Sequence, residues 1–321
     1  MSHPLLSLAF GAPLMVEPRK LGVITAVLAA RRSLELSGPE GWQIPDPSAM
    51  TVDVARHTSA GLAITPEGIA IQSIVGPLVH RRMPGAMSGG PTTYQSIHLQ
   101  LRDAANDHSV RAILLDLASP GGQVDGVFQL AEYIYQARQA KPIWAIANEG
   151  AYSAAYALAS SASRVLLPAT AGVGSIGVIW QHMNQAKFDA ALGVEFTVIQ
   201  AGARKNDFNP HFKVDPEAKA RAQAEVDRLY GIFTATVARN RGLDQQAVID
   251  TEAGLIFGEA AVEAGLADGI ATLSEALDEI TEHATNRLGT ATVAGPAAGP
   301  TETQEEESDT VSYTHLRAHE T

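Results

Sequence analysis

The sequence predicts an α/β fold, a mainly parallel sheet with flanking helices. Two observations carry that prediction. Between about residues 68 and 287, short apolar runs alternate with longer segments of helical spacing. Alternation of this kind favours parallel strands joined by helical crossovers. Glycine and proline clusters punctuate it, notably Gly76-Pro77 and Ser119-Pro120-Gly121-Gly122.

Taken in order, residues 1 to about 65 carry frequent prolines and no long periodic segment. They predict a loosely structured extension with one helix over about Leu21 to Leu36. Gly68 to Val79 reads as a strand broken at Gly76-Pro77, and Arg81 to Pro91, rich in Gly, Met and Pro, as a mobile loop. Thr93 to Ala105 has helical spacing through Tyr94, Ile97, Leu101 and Ala105. Ala112 to Leu117 is a short apolar strand. A helix from about Val124 to Ala140, a strand at Pro142 to Ala147, a small-residue helix at Ser153 to Ala162 and a strand at Arg164 to Leu167 follow. Asn184 to Leu192 reads as a helix and Phe196 to Ile199 as a strand.

Asp215-Pro216-Glu217 combines a capping carboxylate, a proline fit for the first turn and an acid near the helix N-terminus. The helix it starts should reach about Arg241 and stop at Gly242. Shorter helices are expected at about Asp244 to Thr251, Gly258 to Ala264 and Leu273 to Arg287. Three regions result: an extension (1–65), a folded domain (66–288) and a disordered tail (289–321). The tail is Ala/Gly/Pro-rich, then acidic through Glu302, Glu305, Glu306, Glu307 and Asp309. Its last stretch, Val311 to Thr321, breaks the composition and resembles translated adapter sequence.

Composition narrows the function. The net charge of −12 argues against a nucleic-acid-binding face. Cysteine is absent, which removes disulfides, thiolate catalysis and cysteine-ligated metals. The longest apolar run near the N-terminus, Leu21 to Ala30, is bounded by Lys20 and Arg31-Arg32. A membrane span needs about 20 apolar residues, so no membrane segment and no standard secretion signal is expected.

Two polar residues stand out. Ser153 opens a small-residue helix in Asn148-Glu149-Gly150-Ala151-Tyr152-Ser153-Ala154-Ala155-Tyr156. Read blandly, it caps that helix. Read as chemistry, it is a nucleophile exposed at a turn, where the helix dipole favours developing negative charge. Lys205 lies in the glycine-containing loop Ala201-Gly202-Ala203-Arg204-Lys205-Asn206 rather than on a polar helix face, unlike Lys187. A lysine serves as a base only when neutral, and burial disfavours the ammonium form. Substrate or a neighbouring subunit would have to cover it, and an alkaline activity optimum follows. Ser119-Pro120-Gly121-Gly122 offers backbone N–H groups for an oxyanion. Gly122 is the first choice as donor, Ala154 N–H the second and Gly121 the fallback.

Competing chemistries are weaker. Gly172-Val173-Gly174-Ser175-Ile176-Gly177 matches a dinucleotide-binding pattern, but no carboxylate ends the next expected strand. The histidines are scattered without metal-ligand spacing, and no G-x-S-x-G elbow is present. Neither a cofactor nor a metal is expected.

In order and spacing, Ser-Pro-Gly-Gly, the Ser153 segment, Gly174-Ser175-Ile176-Gly177-Val178 and the Gly202-to-Lys205 loop resemble the signal peptide peptidase A family of Ser-Lys peptidases. The segment Gly258 to Asp268 resembles a pattern shared with ClpP- and crotonase-like folds. Ala9-Phe10-Gly11-Ala12-Pro13-Leu14-Met15-Val16-Glu17-Pro18 is similar to the opening of the tailed-phage head maturation (capsid assembly) branch. The resemblance covers roughly residues 68 to 285 and implies a ClpP/crotonase-like fold. It implies Ser153 as nucleophile, Lys205 as general base, Gly122 as oxyanion donor and Ser175 as the hydroxyl that orients the lysine. It further implies a homo-oligomeric ring acting on scaffold, portal and major capsid proteins inside the prohead in the host cytoplasm. A soluble bacterial signal-peptide-peptidase-like protease and a non-catalytic assembly module are the alternatives.

Overall fold

A computed structural model of the chain describes residues 13–16, 53–81 and 92–293. The expected helix over 21–36, nearly all of the expected loop over 81–91 and the tail from residue 294 lie outside these residues. The chain divides into two compact units, 1–284 and 285–321. Of the second, only the end of the last helix is described.

The first unit begins with β1 (Pro13–Val16), β2 (Arg56–His57), β3 (Ala63–Ile64), β4 (Ile69–Val75), β5 (Leu78–Val79) and β6 (Thr92–Thr93). Helix α1 (Tyr94–Asn106), β7 (Ala112–Ser119), β8 (Gly121–Gln123), α2 (Val127–Ala140), β9 (Ile143–Tyr152) and α3 (Ala154–Ser160) follow. Then come β10 (Arg164–Leu167), β11 (Gly172–Gly174), β12 (Ile179–Trp180), α4 (Ala186–Ala191), α5 (Pro216–Arg241) and α6 (Gln245–Ile249). The chain continues through β13 (Leu255–Phe257), α7 (Glu259–Glu263), β14 (Gly269–Ile270) and α8 (Leu273–Val293), which crosses into the second unit.

The larger sheet runs β13-β11-β9-β7-β4-β3-β2, with β10 and β14 added beside β9. Its centre is parallel: β4 with β7, β7 with β9, and β9 with both β10 and β11. The mainly parallel sheet with flanking helices is therefore present. Strand β9 outlasts the apolar run that predicts it. Its first half pairs with β10 at Trp144 to Ile146, and its end pairs with β11 at Ala151 and Tyr152. That length delivers the chain to Ser153.

Period-2 alternation along β7 builds two apolar layers. Ile113, Leu115 and Leu117 pack with α1, α2 and α3 through Ile97, Leu101, Leu130, Ile134 and Leu158. Ala112 and Leu114 face the opposite side, with Trp144, Ile146, Leu166 and residues Ala276, Ile280 and Ala284 of α8. Each large aliphatic residue fully buried this way contributes about 1.5–3 kcal/mol. Helix α5 starts as expected, with Asp215 accepting the N–H groups of Glu217 and Ala218. It stops at Gly242, whose φ of 66° suits glycine.

The far end of α5 is tied to the sheet by one ion pair. Arg241 donates to both carboxylate oxygens of Asp268, at 2.8 and 2.7 Å, and Asp268 also accepts Val165 N–H at 2.6 Å. Burial pushes the Asp268 carboxyl up, but the Arg241 and Val165 bonds outweigh it and hold it below the ordinary carboxylate range. A carboxyl depressed in the folded state stabilises the fold above its unfolded pKa and loses that contribution as pH falls through the folded value. The stability gap between wild type and Asp268→Asn should be constant above about pH 5 and close below about pH 4. Urea denaturation across a pH series would read this, and a gap that persists at low pH would contradict it.

Several segments are worth comparing with the sequence reading. Phe196 to Ile199 forms no strand and is exposed, with Ile199 at 98%. Among the described residues, no strand pairs with this segment. The glycine-rich Gly172-to-Gly177 segment begins as β11 itself and leads into no helix, so the strand–turn–helix of a dinucleotide site is absent. Finally, residues 13–16 of the expected loose extension form strand β1 in a second sheet, ordered β12-β1-β8-β5-β6.

Candidate active site

Ser153 sits at the junction of β9 and α3, with φ 55° and ψ −119°. A residue with a β-carbon reaches this region only at a cost, of order 1–3 kcal/mol. Backbone bonds hold it there. Ser153 N–H donates to Gly174 O at 2.8 Å, and Ala157 N–H donates to Ser153 O at 3.0 Å. A capping serine would accept an N–H from the first turn of α3. Ser153 makes no such bond. Its Oγ is buried and without a hydrogen-bond partner among the described residues. An unsatisfied buried hydroxyl costs about 1–3 kcal/mol. Backbone strain and an orphaned hydroxyl thus coincide at this one residue.

Strand β8 lies beside this junction. A β-carbon on Gly121 would fall 2.9 Å from Ala154 N, 2.9 Å from Tyr152 O and 2.2 Å from Met15 O. The Gly121 φ of 94° also favours glycine. A β-carbon on Gly122 would fall 1.8 Å from Leu78 O. Only backbone without side chains fits here. Ser119 Oγ accepts Gly121 N–H at 3.2 Å and donates to Gly76 O at 2.7 Å, which commits the Gly121 donor. Tyr94 fixes the other end of β8, its buried hydroxyl donating to Gln123 O at 2.7 Å. Burial, with Asp125 nearby, pushes that phenol well above its ordinary pKa, so it stays a donor.

Ser175 directly follows the residue whose carbonyl anchors Ser153 N–H. It is buried, has φ 53°, and donates its own N–H to Gly254 O at 2.8 Å. Lys205 is exposed and is not a hydrogen-bond partner of Ser153 Oγ. Its loop nonetheless packs towards β12, since Phe208 stacks on Trp180 with ring centroids 5.0 Å apart. Arg221 of α5 holds the loop by donating to Asp207 at 2.7 Å. Ahead of it, Phe188, Leu192, Val194, Phe196, Val198 and Ile199 expose apolar surface.

The structure therefore groups Ser153, Ala154, Gly121, Gly122 and Ser175, and leaves Lys205 outside. Sequence reasoning missed the backbone strain at Ser153 and Ser175, for which neither residue carries a local signal. Among the described residues, no three His, Asp or Glu side chains converge as a metal site, and no helix is long and apolar enough to cross a membrane.

Comparison with known proteins adds a family. The model of peptidase family S49 matches residues 135–287, a span that contains Ser153 and Lys205. The head-tail preconnector protein GP5 of Enterobacteria phage P21 is 36% identical over 283 residues, covering 86% of this chain and 56% of that protein. The capsid assembly protease C of Escherichia phage lambda is 33% identical over 326 residues, covering 97% of this chain and 71% of that protein. The chain thus spans little more than half the length of the first relative. Among solved structures, a serine-to-alanine mutant of the 1510-N membrane-bound stomatin-specific protease aligns with a TM-score of 0.44 and 14% identity, over 65% of this chain and 82% of that one.

Proposed function

Because the chain belongs to peptidase family S49, we propose that it is a serine endopeptidase that uses a Ser153–Lys205 dyad on phage capsid precursors. The observation that carries this reading is the Ser153 hydroxyl: buried, without a partner among the described residues, and held in strained backbone at a strand–helix junction. Ser153 Oγ attacks the scissile carbonyl. Lys205 takes the hydroxyl proton and returns it to the leaving amine. The N–H groups of Gly122 and Ala154 hold the oxyanion, and Ser175 orients the lysine. Water then releases the acyl group by the same proton path, so no cofactor is required.

The lysine comes from a neighbouring subunit of a homo-oligomeric ring. Two features support that: Lys205 is exposed, and so are the apolar side chains Phe188, Leu192, Val194, Phe196, Val198 and Ile199 of the stretch leading to it. Covering this surface would also desolvate the lysine and favour its neutral form. The substrates are scaffold, portal and major capsid proteins within the prohead, in keeping with the names of the two phage relatives.

Co-expression with the capsid, portal and scaffold proteins of neighbouring genes tests the role. Mass spectrometry of new protein termini should show cleavages that vanish with Ser153→Ala. Cleavages unchanged by that substitution would refute the reading.

A further inference from the structure

Strand β1 lies against the glycine strand beside Ser153. It pairs antiparallel with β8, with Leu14 opposite Gln123, Met15 opposite Gly122 and Val16 opposite Gly121. On its other side it pairs antiparallel with β12, with Pro13 opposite Trp180 and Leu14 opposite Ile179. Among the described residues, these four are what pairs with the facing edges of β8 and β12. Adding a strand to such edges is a general way to bind an extended peptide.

The side chains fix the register. Met15 is fully buried, in the same apolar cluster as Ala151, Ala154, Ala155 and Tyr156 around the nucleophile turn. Leu14 and Val16 face the other way and pack with Ile179. The Met15 carbonyl oxygen lies 2.2 Å from the point that a Gly121 β-carbon would occupy, and Ala154 N lies 2.9 Å from the same point. A peptide that presented a carbonyl to the Gly122 and Ala154 N–H groups would need the space Met15 now takes.

We propose that Pro13–Val16 is an internal inhibitory strand, seated in the substrate-strand position and anchored by the Met15 side chain. The proposal rests on the reading of Ser153 as nucleophile. A tethered strand acts at an effective concentration of millimolar order, so substrate peptides must displace it before they reach Ser153. Long protein substrates that bring many contacts do so more readily than short peptides.

The chain has no cysteine, so Met15→Cys in the full chain introduces a single thiol. If β1 is seated, that thiol should react with a small disulfide reagent at least about tenfold more slowly than the exposed control Glu67→Cys, because reaction awaits local opening. Equal rates would overturn the proposal. This result does not depend on catalysis, so it separates the strand proposal from the peptidase reading. In a second arm, Met15→Glu places a carboxylate in the apolar pocket and should expel the strand. Hydrolysis of labelled casein should then rise several-fold, and a synthetic peptide of residues 9–18 should suppress the gain. Replacing Pro13–Val16 with Gly-Ser-Gly-Ser repeats this arm if Met15→Glu does not fold. Unchanged or slower hydrolysis in a folded variant, or a cut within residues 13–16 of wild type, would overturn the inhibitory role. Absence of hydrolysis in every variant would refute the peptidase reading, while the thiol rates would still decide where β1 sits.

Discussion

Ser153→Ala and Lys205→Ala should each lower peptide hydrolysis by roughly 10⁴–10⁶-fold, as removal of one member of a cooperating nucleophile–base unit does. Neither change should unfold the protein. Among the described residues Ser153 Oγ makes no hydrogen bond, so its removal breaks none there and relieves a buried unsatisfied group. Lys205 is exposed, and surface substitutions usually alter stability by less than about 0.5 kcal/mol. Melting curves near wild type beside lost activity would separate chemistry from folding. The two dead variants should also complement each other. In a ring whose sites pair Ser153 of one subunit with Lys205 of the next, random 1:1 mixing leaves about a quarter of sites intact. Activity near that fraction supports the shared site. No recovery after proven subunit exchange would place both residues in one chain.

Gly122→Ala should also be damaging, less so than loss of the dyad and for a different reason. Its β-carbon would fall 1.8 Å from Leu78 O, 2.6 Å from Leu78 C and 2.7 Å from Leu78 N. All three are backbone atoms, so no rotamer change relieves the clash. Either β5 separates from β8 or β8 shifts away from Ala154. Overpacking of this sort costs at least about 1–3 kcal/mol. A misplaced oxyanion donor removes a further factor of about 10²–10³ in rate. The combined signature is a lower melting temperature and a fall in kcat that exceeds what the unfolded fraction explains. Wild-type kcat in a well-folded Gly122→Ala would remove β8 from the account.

The parts of the fold that could be read from sequence were those set by local chemistry. The Asp215-Pro216-Glu217 start and the Gly242 stop of α5 appear where capping rules put them. Strand β10 runs from Arg164 to Leu167 as its apolar run predicts. Parallel β4, β7 and β9 follow from alternation with helices. Features that depend on distant pairing were less legible. Gly121–Gln123 reads as a turn because two glycines carry no strand signal, yet β1 on one side and β5 on the other make it a strand. Phe196 to Ile199 has strand composition but pairs with no strand among the described residues, and it stays irregular. Ser153 and the glycine turn, the proposed nucleophile and oxyanion segment, stand out in the sequence by their motifs. The positive φ of Ser153 comes from the Gly174 carbonyl bond and the β9–α3 junction, which no local residue pattern encodes.

The most direct test is covalent labelling of the assembled protein with a fluorophosphonate, followed by peptide mapping. The account predicts one adduct per chain, on Ser153, absent from Ser153→Ala and strongly slowed in Lys205→Ala. An adduct on a different serine, or labelling of Lys205→Ala at the wild-type rate, would contradict the Ser153–Lys205 dyad.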